Sequence, residues 1–272
     1  MPHPISRRSF VAGAAMLPLL SSAPVSAVVR AAEPDLAGLA DITRDARPID
    51  AAERATRLAR AQALMRANGI GAVLIEPGSS MVYFTGVRWG RSERPTLAIL
   101  PVEGEPCIVM PFFEEPSVRE SLAVPAEVRV WQEDGDALAV AAGFLRERGL
   151  AARPVGIEET VRAFIPAALA RADPDARQVS ANPVVRGCRM VKTPAEIALM
   201  TVATQVTIAA YRFVHPRVER GMAAREVSAL MDAATPIREA ANATCCPRAT
   251  WSQTVRCSLL AGPWTKVRDT SD

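Results

Sequence analysis

The sequence predicts an α/β fold: a mixed, mostly wound sheet with helices on both faces. Two observations carry this. Between about residues 50 and 182, apolar runs of four to six residues alternate with stretches in which apolar residues recur near a 3.6-residue period. Two of those runs are joined only by Val102-Glu103-Gly104-Glu105, a hairpin by loop length and turn chemistry, so at least one strand pair is antiparallel.

Residues 1–27 read as an export signal. Ser6-Arg7-Arg8-Ser9-Phe10 resembles the twin-arginine consensus, an apolar run follows from Val11 to Leu20, and Val25-Ser26-Ala27 offers small residues for cleavage. The apolar run is too short to span a bilayer and is broken by Gly13 and Pro18. The expected destination is the periplasm, reached through the twin-arginine export machinery. Residues 28–49 form a linker, polar, charged and without a sustained period from Ala31 to Pro48 and so expected to be exposed.

Asp50 with Glu53 forms a capping box, starting a helix to about Ala67 with Ala55, Leu58, Ala61, Leu64 and Met65 on its inner face; Asn68-Gly69 closes it. Gly71 to Ile75 has the form of a strand buried on both faces. After a short helical turn at residues 79–85 and a glycine bend at Gly86, the hairpin strands run over 96–101 and 106–110. A helix over 113–122, a strand over 128–131 and a helix over 136–148 with Leu138, Val140, Ala141, Phe144 and Leu145 inward come next. A strand over 154–158 and a helix over 163–172 complete a domain spanning 50–182.

The stretch 183–234 reads as a linker and two amphipathic helices. Thr193 before Pro194, with Glu196 three residues on, is a strong helix start. Ile197, Met200, Ala203, Val206, Ile208 and Ala210 fall near one face up to about Phe213, and Pro216 stops the helix. A second helix is expected from about Met222 to Ala234, with Val227, Leu230 and Met231 inward.

Arg189, Lys192, Thr193, Pro194, Glu196 and Ile197 fill an Arg-x-x-Lys-[Ser/Thr]-Pro-x-Glu-Ile pattern. It resembles the segment that opens the catalytic domain of the creatinase, prolidase and aminopeptidase P family. Ser79-Ser80-Met81-Val82-Tyr83-Phe84-Thr85-Gly86 resembles a motif of that family's N-terminal domain, and Pro154-Val155-Gly156-Ile157-Glu158 resembles one of its strands. The resemblance implies a creatinase-like N-terminal domain followed by the first helices of an incomplete "pita-bread" α+β domain. It also implies cleavage of peptide bonds next to proline, with proline-containing peptides as substrates and two divalent metal ions (Mn, Co or Zn) as cofactors.

In such proteins the metals are held by an Asp, a second Asp eleven residues on, and later a His and two Glu. Carboxylates with one imidazole suit hard divalent ions that activate a bridging hydroxide. If Asp272 is the second Asp, the first should stand at Ala261, and Pro263 replaces a usual glycine; Asp272 is therefore at most a vestigial ligand. The two histidines are His3, in the leader, and His215, before Pro216 at a helix end, where a surface or capping role is expected. No catalytic residue is assigned. No G-x-S-x-G elbow or phosphate-binding glycine loop is present, and Gly86-Val87-Arg88-Trp89-Gly90 has neither the spacing nor the lysine. Arg88 and Trp89 are expected to cover the sheet edge rather than line a groove.

Cys107 and Cys188 read as buried thiols, while Cys245, Cys246 and Cys257 lack the spacing of a zinc site. A net charge of +3, about +1 after removal of Arg7 and Arg8 with the leader, gives no electrostatic case for nucleic acid. From Thr235 the composition shifts. Three of the five cysteines and two of the four tryptophans fall in 235–272 without a clear period, as in a frame-shifted or decayed continuation of a truncated catalytic domain. The expected protein is an Xaa-Pro peptidase relative that is inactive as this chain. The alternative is a binding or oligomerisation module, a homo-oligomer that keeps the N-terminal domain alone. On either reading the two C-terminal helices would expose apolar faces and drive pairing or aggregation.

Overall fold

The structure, a computed structural model, describes residues 36–235. The leader with Arg7 and Arg8, and the tail with Ala261, Pro263, Asp272 and the three clustered cysteines, lie outside the described residues.

Strands β1 (Ala72–Ile75), β2 (Leu97–Pro101) and β3 (Cys107–Pro111) are buried at every position. With β4 (Glu127–Trp131), β5 (Val155–Ile157) and β6 (Gln178–Ser180), they form one six-stranded sheet in the order β4-β3-β2-β1-β5-β6. β2 is antiparallel to β1 and β3, while β1, β5 and β6 run parallel, as do β3 and β4. Complete burial of the central strands requires cover on both faces, which is why they read as continuous apolar runs rather than alternations. The mixed sheet is the one the sequence predicts.

Helix α1 (Ala51–Ala67) packs against α6 (Asn182–Arg189), and α4 (Ala137–Glu147) against α5 (Phe164–Ala172). The short α2 (Ser79–Thr85) follows β1 and ends on Gly86 at φ 83. A Cβ on Gly86 would stand 2.5 Å from the Ala123 Cβ, so both the left-handed backbone and the close approach demand glycine. A 3-10 turn at Phe112–Glu114 leads into α3 (Glu115–Ser121). The outer strand β4 is guarded by charge. Arg129 pairs with Glu127 and Glu147, and Arg148 with Glu127, which discourages further strand pairing.

Asp50 caps α1 through the Glu53 N–H at 2.8 Å, as expected, but the Glu53 carboxylate is engaged elsewhere, accepting from the Thr193 hydroxyl. The inner face of α1 also differs. Ala61 and Met65 are buried, but Ala55 is exposed, and Arg54 and Arg57 take the inner positions one and two turns earlier. Their guanidinium groups can be buried because carbonyls and a carboxylate await them, as described below. Two elements were not anticipated. β6 is a three-residue edge strand, and α6 lies where a linker was expected, its Val184, Val185 and Cys188 in the main core.

Helix α7 (Pro194–Val214) begins with the predicted capping box, and α8 (Ala224–Ala234) packs against it. The buried stripe of α7 is Glu196, Leu199, Val206, Ala210 and Phe213. It keeps Val206 and Ala210 of the expected face but is rotated from the rest, because Ile197, Met200 and Ile208 are exposed at 44–54%. Apolar residues surround this helix, so periodicity could not choose between its faces. Ala210, Phe213, Val214 and Ala234 form a second small core with Leu39, Val227, Leu230 and Met231. The segment before α1 is therefore not simply exposed, since Leu39 packs into that core. Nor do the apolar faces of α7 and α8 all lack partners: one stripe packs within the chain.

Candidate functional site

β1 and β5 run parallel, and each ends in a glutamate, Glu76 after Ile75 and Glu158 after Ile157. Both are nearly fully buried, at 1% and 4% exposure, and a buried carboxylate is tolerated only when its oxygens are filled. The Arg162 backbone N–H donates to Glu76 Oε2 at 2.7 Å, and the Arg162 guanidinium donates twice to Oε1 at 2.9 and 2.7 Å. Glu158 Oε2 accepts from the Thr160 N–H and hydroxyl at 2.8 and 2.7 Å, and Oε1 from the Ser80 hydroxyl at 3.0 Å.

Ser80 extends this arrangement toward α6. Its oxygen accepts from Arg189 at 2.8 Å while its proton goes to Glu158, so one hydroxyl links the Arg189 guanidinium to the Glu158 carboxylate. A second Arg189 nitrogen donates to Ser79 at 2.9 Å. With the Ser80 side chain buried and both its hydrogen-bonding directions committed, the hydroxyl is a structural link and not an exposed nucleophile.

Tyr83, on the next turn of α2, has two guanidiniums near its ring, Arg57 at 4.1 Å and Arg189 at 5.7 Å from the centroid. Its hydroxyl donates to the Cys188 carbonyl at 3.2 Å, and burial pushes the phenol up to about 12. Arg57 donates to the Tyr83 carbonyl at 3.1 Å and to Glu196 Oε1 at 3.0 Å; Arg54 donates to the Val82 carbonyl at 2.7 Å. The two arginines thereby satisfy carbonyls at the C-terminus of α2, where positive charge is favourable. Glu196 Oε2 accepts the Thr193 N–H, Thr193 Oγ1 accepts the Glu196 N–H and donates to Glu53, and Lys192 Nζ donates to the Arg189 carbonyl at 2.7 Å.

Arg189, Thr193 and Glu196 thus have one common task, to join α6 and α7 to α1 and α2, while Lys192 bonds only the carbonyls that end α6. Sequence reading found Arg189, Lys192, Thr193 and Glu196 but not Arg54, Arg57, Ser80 or Glu76 as their partners or neighbours. The signal for the arginines was present. Counting back from Met65 and Ala61 by helical turns reaches positions 57 and 54.

No catalytic constellation stands here. Among the described residues no three His, Cys, Asp or Glu side chains are grouped to hold a metal ion, and the buried glutamates are already committed. These residues do not fit a dinuclear metal centre. His215 is exposed in a 3-10 turn after α7, the surface position expected of it. Trp89 packs against the main core and donates to Glu114 at 2.9 Å, covering the sheet, while Arg88 is exposed. Cys107 and Cys188 are buried free thiols, as expected. An open groove of about 570 Å³ runs beside the exposed face of α7, lined by Met190, Lys192, Ile197, Met200 and Thr204 among others.

Residues 57–191, the sheet with α6 and most of the polar hub, match the creatinase/prolidase N-terminal domain. The chain belongs to the creatinase/prolidase family. It is 30% identical over 230 residues to an uncharacterised peptidase of Schizosaccharomyces pombe, covering 79% of this chain and 49% of that protein. It is 32% identical over 196 residues to a probable dipeptidase PepE of Mycobacterium bovis, covering 71% of this chain and 50% of that one. The crystal structure of dipeptidase PepE from Mycobacterium ulcerans superposes with a TM-score of 0.56 at 31% identity, over 69% of this chain and 50% of its own. This creatinase/prolidase chain spans about half the length of these relatives.

Proposed function

We propose that this chain supplies the N-terminal domain and the opening helices of a dinuclear-metal peptidase that cleaves peptide bonds next to proline, and that these 272 residues alone do not catalyse that reaction. The observation that carries the reading is the 32% identity to dipeptidases over 196 residues, a stretch longer than the N-terminal domain itself. The second half of the reading rests on ligand chemistry. The resemblance calls for two Asp, a His and two Glu, whereas the chain's histidines are His3 and the exposed His215.

Purified chain supplied with Mn²⁺ or Co²⁺ should release nothing from Xaa-Pro dipeptides or longer Xaa-Pro peptides. Measurable release of the N-terminal residue would overturn the proposed inactivity. Sequencing the gene past the codon for Asp272 tests the family role. An onward frame encoding the His and two Glu identifies the other half of the peptidase, and a clean end favours a stand-alone binding module.

A further inference from the structure

The small core between α7 and α8 is separate from the sheet core. Two stretches of chain join the two regions: residues 40–50, which carry no helix or strand between Leu39 and α1, and Met190, Val191 and Lys192, with Met190 73% and Val191 69% exposed, between the end of α6 and the cap of α7. Pro194 disfavours helical backbone at the preceding residue, so α6 and α7 do not run on as one helix whose axis would set the direction of the second. Continuity of the chain therefore leaves the direction of α7 open.

What meets the first turn of α7 is polar and buried. Arg57 and Glu196, with side chains 6% and 5% exposed, form a 3.0 Å ion pair between the middle of α1 and the first turn of α7. Thr193, the cap of α7, donates to Glu53 one turn before Arg57. Arg57 is itself fixed by the Tyr83 carbonyl and ring, so the pair is anchored to α2 as well. A buried ion pair is a poor way to gain stability, since apolar side chains of similar size often do as well or better. It is a good way to specify one arrangement, because any other leaves a buried charge unmatched. We propose that Arg57–Glu196 and Glu53–Thr193 form a latch that sets the direction of the α7–α8 hairpin on the α/β domain, with residues 190–192 as the hinge. Arg57 and Glu196 are positioning residues, and their role holds whether or not the chain takes part in peptide cleavage.

The test is hydrogen exchange on the full 272-residue chain, read by mass spectrometry. Glu196→Gln keeps an oxygen for the Thr193 N–H and removes the charge facing Arg57. Exchange over residues 194–206 should rise roughly tenfold while the peptides of β1, β2 and β3 change less than about twofold. The paired replacement Arg57→Met with Glu196→Met separates positioning from plain stabilisation. The global unfolding midpoint should return close to that of the unaltered protein, but α7 should stay weakly protected. An unchanged α7 in Glu196→Gln, an equal rise across the sheet, or full recovery of α7 protection in the Met pair would each overturn the latch.

Discussion

Cys107 and Cys188 keep their protons because the thiolate would have to sit among apolar side chains. Burial pushes Cys107 up to about 12 and Cys188 up to about 11 from an ordinary 9.0, and Tyr83 up to about 12 from 10.0. In the unfolded chain these groups lose their protons first, so above pH 9 the folded state binds more protons and stability falls as pH rises. The slope should approach about 1.4 kcal/mol per pH unit for each group between its unfolded and folded values. Thermal unfolding followed from about pH 8 to about pH 11 should show a midpoint that drops more steeply above about pH 9. Cys107→Ala or Cys188→Ala should remove part of that added steepness, and identical profiles for variant and parent would sink the idea. The burial of these thiols could be read from lone cysteines in apolar stretches. For Arg54 and Arg57 the helical spacing marks inward positions, but what permits their burial is not local: Arg57 depends on acceptors contributed by α2 and α7, 26 and 139 residues away.

Local signals placed most elements well. Helix α1 with Asp50 and Gly69, the β2–β3 hairpin, α4 with Asp136 and Gly149, and α7 with its capping box each combine a clear period with end chemistry that the structure keeps. β6 escaped notice because Gln178-Val179-Ser180 has no apolar run; β5 alone makes it a strand. α6 has Pro183 at its start and Gly187 within it, both of which read as breakers. Yet Gly187 lies where a Cβ would come within 3.0 Å of the Leu64 side chain, and Arg60 donates to its carbonyl, so packing on α1 selects the helix. On α7 the structure predicts a sharp contrast between two faces of one turn. Leu199→Ala should cost about 2–4 kcal/mol in urea unfolding, as for a buried leucine, while Ile197→Ala, at a half-exposed position, should cost less than about 1 kcal/mol. The reverse order would mean that the face carrying Ile197 and Met200 is the packed one.

Taken whole, the chain is proposed to be exported before it functions. Arg7-Arg8, the short apolar core and Val25-Ser26-Ala27 occur in the order a twin-arginine leader requires, so replacing both arginines with lysine should hold the protein in the cytoplasm on fractionation. Unchanged periplasmic recovery would rule that route out. The amino-acid order alone was enough for the α/β class, the family pattern at 189–197 and the buried state of both single cysteines. These follow from apolar period, cap residues and short-range turn chemistry, which act within a few residues. The tertiary structure was needed to select the buried stripe of α7 and the inward turn of Arg54 and Arg57, and to join Glu76 to Arg162 and Ser80 to both Arg189 and Glu158. Each of those depends on a partner from a distant part of the chain, and the cost of burying a charge is met only where the fold brings that partner within hydrogen-bonding distance.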